Sequence, residues 1–147
     1  MKIEVRTKIL DDRAVVPKHA TEFSAGADLY AVVDEPVEIL PGKSYLFKTG
    51  IAVELPMGTV GLIFARSGLA TKKGLAPANK VGVIDSDYRG EIMVCLYNHS
   101  GETQTVQPLE RIAQMVVMPY YSAVYTVADD LDKTERDAGG FGSTGSK

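Results

Sequence analysis

The chain has 147 residues, of which 45% are hydrophobic and 24% charged, with a formal net charge of −3. That length suits one domain with a sizeable core, and the acidic balance excludes a global basic field for tracking nucleic acid, so any positive charge that meets an anion must be local. The single cysteine, Cys95, excludes an internal disulfide and a CxxC pair for zinc or redox work.

The opening run Met1-Lys2-Ile3-Glu4-Val5-Arg6 alternates polar and apolar residues and lacks the apolar block of a signal peptide. No stretch approaches membrane-spanning length, so a reducing, cytoplasmic setting without membrane contact is expected. Ile3, Val5, Thr7 and Ile9 alternate with charged residues and predict a half-buried strand. Further β-favouring runs follow at 44–51, 60–65, 91–98 and 111–118, cut by turn residues such as Pro41-Gly42 and Pro56-Met57-Gly58. The last two runs are apolar at both parities, which predicts strands inside a sheet packed on both sides. No long 3.6-residue period occurs; one short helix is expected near 67–72. Short strands at this spacing predict an all-β sandwich or barrel over residues 1–127. From 128 to 147 the chain turns charged, then glycine-rich around a lone Phe141, and reads as a flexible arm.

Three stretches carry candidate chemistry. Asn79 through Gly90 runs from apolar Val81, Val83 and Ile84 into a turn dense in Asp, Tyr and Gly, and residues 91–98 lead away. This predicts a hairpin whose edge offers backbone donors and acceptors to a flat ligand and whose tip presents Asp85, Asp87 and Tyr88; an ordinary turn would use the same residues for backbone conformation alone. Ala65-Arg66-Ser67-Gly68-Leu69 follows a strand and opens the short helix, where backbone N–H groups and the Arg66 fork suit an anion. The plainer alternative is a surface arginine beside an N-cap Ser67. Arg136 and Gly139-Gly140-Phe141-Gly142-Ser143-Thr144-Gly145 combine a cation, free amides, hydroxyls and one ring able to stack on a base; a disordered tail is the plainer alternative. Gly42-Lys43-Ser44 is no P-loop, because Val37 stands where that motif needs glycine. His19 and His99 have no partner of their own type at metal-ligand spacing and read as structural or surface residues.

Together these pieces resemble the trimeric dUTP pyrophosphatase family. Ala25-Gly26-Ala27-Asp28-Leu29-Tyr30-Ala31 is similar to its first motif, Ala65-Arg66-Ser67-Gly68-Leu69-Ala70 to its second and Asn79 through Gly90 to its third. Arg111-Ile112-Ala113-Gln114-Met115 resembles the fourth, and Arg136 through Gly145 the fifth. The third and fifth are the specific ones, and all five occur in order.

The resemblance implies a jelly-roll-like fold, a homotrimer without direct nucleic-acid binding, and Mg²⁺-dependent hydrolysis of dUTP to dUMP and pyrophosphate. Residue by residue, it implies that Asp85 orients and activates the water that attacks the α-phosphorus; aspartate is a weak base, so orientation matters as much as proton removal. It implies that Tyr88 packs under the deoxyribose and excludes a 2′-hydroxyl. Asn79 and the backbone of Gly82, Val83 and Ile84 would read uracil, with Met93 lining that site. Arg66, Ser67, Gly68 and Gln114 would bind phosphate. Asp28 would face the metal through water, with Mg²⁺ held mainly by the triphosphate. Arg136, Phe141, Gly142 and Ser143 would close over a nucleotide site built by other subunits, so that three interface sites share residues from all three chains, the arm ordering only when the nucleotide is present. The competing expectations are a dCTP deaminase of the same superfamily, a nucleotide-sensing regulatory protein on this fold, and a capsid-like jelly roll. The deaminase would carry an Arg-Ser-Ser second motif, where this chain has Arg66-Ser67-Gly68.

Overall fold

The computed structural model describes residues 2–140. Eleven strands and one helix follow in chain order: β1 (Arg6–Ile9), β2 (Lys18–His19), β3 (Ala27–Tyr30), β4 (Val37–Ile39), β5 (Ser44–Glu54), β6 (Thr59–Phe64), α1 (Ser67–Lys73), β7 (Leu75–Pro77), β8 (Gly82–Ile84), β9 (Glu91–Asn98), β10 (Gln104–Val106) and β11 (Arg111–Pro119). The predicted strand runs and the short helix all fall on these elements. A four-stranded sheet has the order β1-β5-β9-β7, a five-stranded sheet the order β2-β3-β11-β6-β8, and β10 pairs with β4. Every pairing is antiparallel, as the jelly-roll-like reading requires.

One core joins the two larger sheets. Phe47, Ile51 and Val53 of β5 and Ile92, Val94 and Leu96 of β9 meet Leu29 of β3, Ile63 of β6 and Met115 of β11. Their alternation places one face of each strand inward. Asn98 is the buried polar exception: its amide donates to the Ile39 and Glu102 carbonyls, and its oxygen accepts from Ser100, so the sheet ends are tied without an unsatisfied group.

Two expectations need correction. β9 and β11 are interior strands, but only one face of β9 is fully covered: Met93 is 41% exposed, and Cys95 and Tyr97 are half-buried. In the N-terminal run, Ile3 and Ile9 remain exposed although Val5 packs against the core. An alternation pattern says which side chains share a face; it does not say whether the same chain covers that face.

After β11, Tyr120 N–H donates to the Gly58 carbonyl at 3.2 Å. From there to Gly140 no strand forms, and Tyr121, Val124, Tyr125, Val127 and Leu131 are all more than 80% exposed.

Candidate active site

The middle strand of the site is β6. Its neighbour on one side is β8, with Gly61 opposite Ile84 and Ile63 opposite Gly82. On the other side is β11, with Phe64 opposite Gln114 and Thr59 opposite Pro119. The second, third and fourth motifs are therefore neighbours of one strand, and the first joins them because Asp28 of β3 pairs with Gln114.

At the Phe64 end the site residues are held by charge. Arg66 Nε donates to Asp28 Oδ1 at 2.7 Å, and Arg111 Nη1 to Asp28 Oδ2 at 3.2 Å. Asp28 is only 8% exposed, so its carboxylate is costly to bury without these partners. Gln114 Nε2 donates to the Ala65 carbonyl at 2.9 Å, which ties the fourth motif to the second. Gly26 makes this packing feasible, since a Cβ there would collide with the Gln114 side-chain oxygen. Arg66 is the N-cap residue of α1, in extended conformation and without a side-chain cap, and Ser67 is the first helical residue rather than the cap. Ser67 and Gly68 are both exposed. The helix ends at left-handed Gly74, which closes it with N–H bonds to the last turn.

The third motif runs the length of β6, from Gly82 opposite Ile63 to the Asp85 turn at the Thr59 end. Val83 is 60% exposed, its backbone running along the edge of the five-stranded sheet. Asn79 is exposed and its amide nitrogen lies over Gly82. The chain then turns: Tyr88 N–H donates to the Asp85 carbonyl at 3.1 Å, and Asp85 itself is exposed. Ser86 is buried, its hydroxyl 3.8 Å from the Met57 sulfur, which fixes this turn beside the start of β6. The Tyr88 hydroxyl donates to the Glu91 carbonyl at 3.1 Å, and its ring lies where a Cβ on Gly90 would be.

The predicted hairpin between Asn79–Ile84 and β9 does not form. β8 pairs with β6, while β9 lies in the other sheet between β5 and β7. The Asp85–Gly90 turn is a crossing between sheets, so it is held from both.

A family model described as dUTPase matches residues 12–145. The chain belongs to the dUTPase family. Relatives named deoxyuridine 5'-triphosphate nucleotidohydrolase extend this over the whole length. That of Desulfitobacterium hafniense is 49% identical over 146 residues, covering 99% of this chain and 97% of the relative. That of Neisseria meningitidis serogroup B is 49% identical over 149 residues, covering 99% of each. Among solved structures, a mutant dUTPase of Staphylococcus bacteriophage 80alpha with dUpNHpp superposes with a TM-score of 0.86 at 25% identity, covering 99% of this chain and 100% of that one. The dUTPase fold here is thus the one anticipated, and the capsid-like and deaminase readings fall away.

Several contacts around the candidate site of this dUTPase were not legible in the sequence. Arg111 stands an odd number of residues from Gln114, so strict alternation sends it to the opposite face; a register shift between Arg111 and Ala113 brings it onto Asp28. Arg89, read only as part of a motif, donates to two carbonyls of the Asp85 turn. Of the arm residues, Arg136 is exposed and closes its own turn, Nε to the Gly139 carbonyl at 2.8 Å. Phe141, Gly142 and Ser143 lie outside the described residues.

Proposed function

We propose that this dUTPase hydrolyses dUTP to dUMP and pyrophosphate at composite sites, each assembled from more than one copy in a homotrimer. The observation that carries the composite reading is the register of β6. Asp85 follows Ile84, which pairs with Gly61, whereas Arg66 follows the opposite end of the strand. About six strand residues at about 3.3 Å each separate the two levels, roughly 20 Å. A triphosphate with its attacking water is far shorter than that, so Asp85 and Arg66 of one chain do not meet round one α-phosphorus. Residues from two chains do, if the Thr59 end of one β6 faces the Phe64 end of another.

The exposed groups support the same reading. Val83, Tyr88 and Met93 open outward, and the apolar side chains between Tyr121 and Leu131 lie uncovered on a single chain. A groove of about 660 Å³ beside β2 and β11, lined in part by Ile3, Val5, Val16 and Val117, offers apolar surface for such a segment of another copy. Closed rotational symmetry then repeats the same contact three times.

Within this site Asp85 orients the water for attack on the α-phosphorus and accepts its proton. The Tyr88 ring, held by its bond to Glu91, supports the deoxyribose and leaves no room for a 2′-hydroxyl. The β8 backbone and Asn79 read uracil, with Met93 beside them. Arg66, Ser67, Gly68 and Gln114 bind phosphate oxygens, and Arg136, Phe141, Gly142 and Ser143 close the site. Mg²⁺ would be held mainly by the triphosphate, with Asp28 facing it through water. Mg²⁺, when bound, neutralises charge on the phosphates. The reaction lowers dUTP, keeps uracil out of DNA and supplies dUMP for thymidylate synthesis. No helix among the described residues is long and apolar enough to cross a membrane, and we place the enzyme in the cytoplasm.

Two measurements test this. Pyrophosphate release from dUTP, UTP, dTTP and dCTP in parallel, with Mg²⁺ and with chelator, should be rapid from dUTP alone and should need the metal. Mixing and reassembling inactive Asp85→Asn and Arg66→Ala chains should restore about a quarter of the wild-type rate, since random pairing of an intact Asp85 with an intact Arg66 rebuilds that share of composite sites. No recovery on mixing would place both residues in the same chain's site and defeat the composite reading.

A further inference from the structure

We propose that Arg89 and Glu54 form a positioning pair that sets the aim of Asp85 and Tyr88; the inference rests on the dUTP-hydrolysing reading of this site. The Asp85–Gly90 segment leaves the five-stranded sheet at Ile84 and enters the four-stranded sheet at Glu91. Such a crossing has no ladder of its own. Only the Tyr88 N–H to Asp85 carbonyl bond closes it internally among backbone groups.

Arg89 supplies the missing constraint. Its Nη1 donates to the Ser86 carbonyl at 2.7 Å and to the Tyr88 carbonyl at 3.0 Å. These two carbonyls flank Asp87, and they belong to the residues that follow Asp85 and carry the tyrosine ring. One guanidinium nitrogen thus fixes two peptide planes of the turn, with charge-assisted bonds. Its other terminal nitrogen, Nη2, lies 3.9 Å from Glu54 Oε1, and Glu54 Oε2 accepts from Arg6 Nη1 at 2.9 Å.

The register explains why Glu54 is the partner. Ala52 of β5 pairs with Glu91, and two further residues along the same ladder bring Glu54 level with Arg89. Arg6 of β1 pairs with Glu54 from the other side. The three side chains therefore extend the β1-β5-β9 ladder past its last backbone bond and fasten the turn to the four-stranded sheet. Lysine cannot replace this arrangement, because an ammonium is a point charge without the planar fork that serves the carbonyls and the carboxylate at once.

Both partners are about half exposed, Arg89 at 54% and Glu54 at 42% of the side chain. Exposed ion pairs contribute little to global stability. Their loss should consequently register in the geometry of the turn rather than in unfolding, which separates a positioning role from a merely structural one.

The experiment measures kcat and KM for dUTP and for UTP, with a thermal melt, in Arg89→Ala, Arg89→Lys and Glu54→Gln enzymes beside the wild type. Arg89→Ala should lower kcat for dUTP about ten- to hundredfold, the scale expected of a misplaced catalytic group, with KM changed less than about threefold. The preference for dUTP over UTP should narrow, because the Tyr88 carbonyl loses its bond to Arg89. Arg89→Lys should recover only part of the rate, and Glu54→Gln should shift both readouts in the same direction by less. If Arg89→Ala does not fold, Glu54→Gln carries the same test. An unchanged kcat together with an unchanged dUTP-to-UTP ratio overturns the proposal. So does a rise in KM alone, which would make Arg89 a direct phosphate ligand. Failure of the wild type to release pyrophosphate from dUTP would instead strike the underlying reading, and it is visible in the same assay.

Discussion

At the Phe64 end of β6 the site is clamped by charge; at the Thr59 end it is held by backbone geometry and opens to solvent. Asp28 is buried and grips two arginines at the first end, so the Arg66 side chain is held in place within the chain itself. At the second end Asp85 and Tyr88 sit on a sheet-crossing turn, with Tyr88 40% exposed. The contrast suits the roles proposed for each end. A cation proposed to meet phosphate gains from being kept from swinging, and a buried carboxylate does that. A carboxylate proposed to orient water gains from free oxygens, and Asp85 is placed through its own backbone. Each end also contains one glycine whose absent side chain makes room for a site residue: Gly26 for Gln114 and Gly90 for Tyr88.

The largest effect should come from the free carboxylate. Asp85→Asn should reduce turnover by about a thousandfold or more, the scale of a positioned base, while dUTP binding measured by calorimetry stays near wild type. A near-normal rate would remove Asp85 from its role. At the clamped end Asp28→Ala should cost less in rate but more in stability. Loss of a charge-assisted contact corresponds to about 1.5–3 kcal/mol, or about ten- to hundredfold in kcat/KM. Urea unfolding should show a loss of about 1–3 kcal/mol from the arginines left unpaired. If Asp28→Ala unfolded like wild type, charge would not be what holds this end.

The two glycines sharpen the comparison. Gly26→Ala displaces the Gln114 oxygen and should raise KM for dUTP, with sugar selection unchanged. Gly90→Ala pushes the Tyr88 ring and should let UTP in, with KM for dUTP less affected. Each insertion is expected to cost about 1–3 kcal/mol in packing, read as a midpoint shift in thermal melts. Swapped phenotypes would mean that phosphate binding and sugar selection are not divided between the two ends.

Much of this was legible before the fold was known. The strand at 91–98 shows in its run of β-favouring apolar residues, and Arg66 and Asp85 stand out once the five motifs are seen together in order. The pairing of β8 was not legible: Asp, Tyr and Gly between two apolar runs mark a change of direction, and a hairpin and a sheet crossing use the same residues for it. Arg111 was hidden by a bulge, which leaves no mark in the apolar pattern. The roughly 20 Å between Asp85 and Arg66 lay in the register of β6, since motif order along the chain carries no distance. Arg89 was visible but silent, because its partners are carbonyl oxygens that every sequence has.

The smallest effect is expected far from both ends, where the chemistry of the Asp28 clamp recurs on the surface. Arg13 Nε and Nη2 donate to the two oxygens of Asp11 at 3.0 and 2.9 Å, its backbone N–H adds a third bond, and Nη1 reaches Asp34 at 2.6 Å. The Arg13 side chain, and after it the Arg13 N–H, hold the Asp11 carboxyl down at about 2 against an ordinary 3.8, and the same contacts raise Arg13. A carboxyl depressed on folding contributes stability that is present above its unfolded value and is lost as pH falls through its folded value. The contribution of Asp11 should therefore be complete above about pH 4 and fade as the pH falls through about 2. Here, unlike at Asp28, water screens both partners, and such pairs contribute little. Asp11→Asn should leave dUTP turnover unchanged and lower the thermal midpoint only slightly at neutral pH. The difference from wild type should vanish in melts taken below about pH 2. If Asp11→Asn cost as much stability as Asp28→Ala, burial would not be what distinguishes two carboxylates so similarly gripped by arginine.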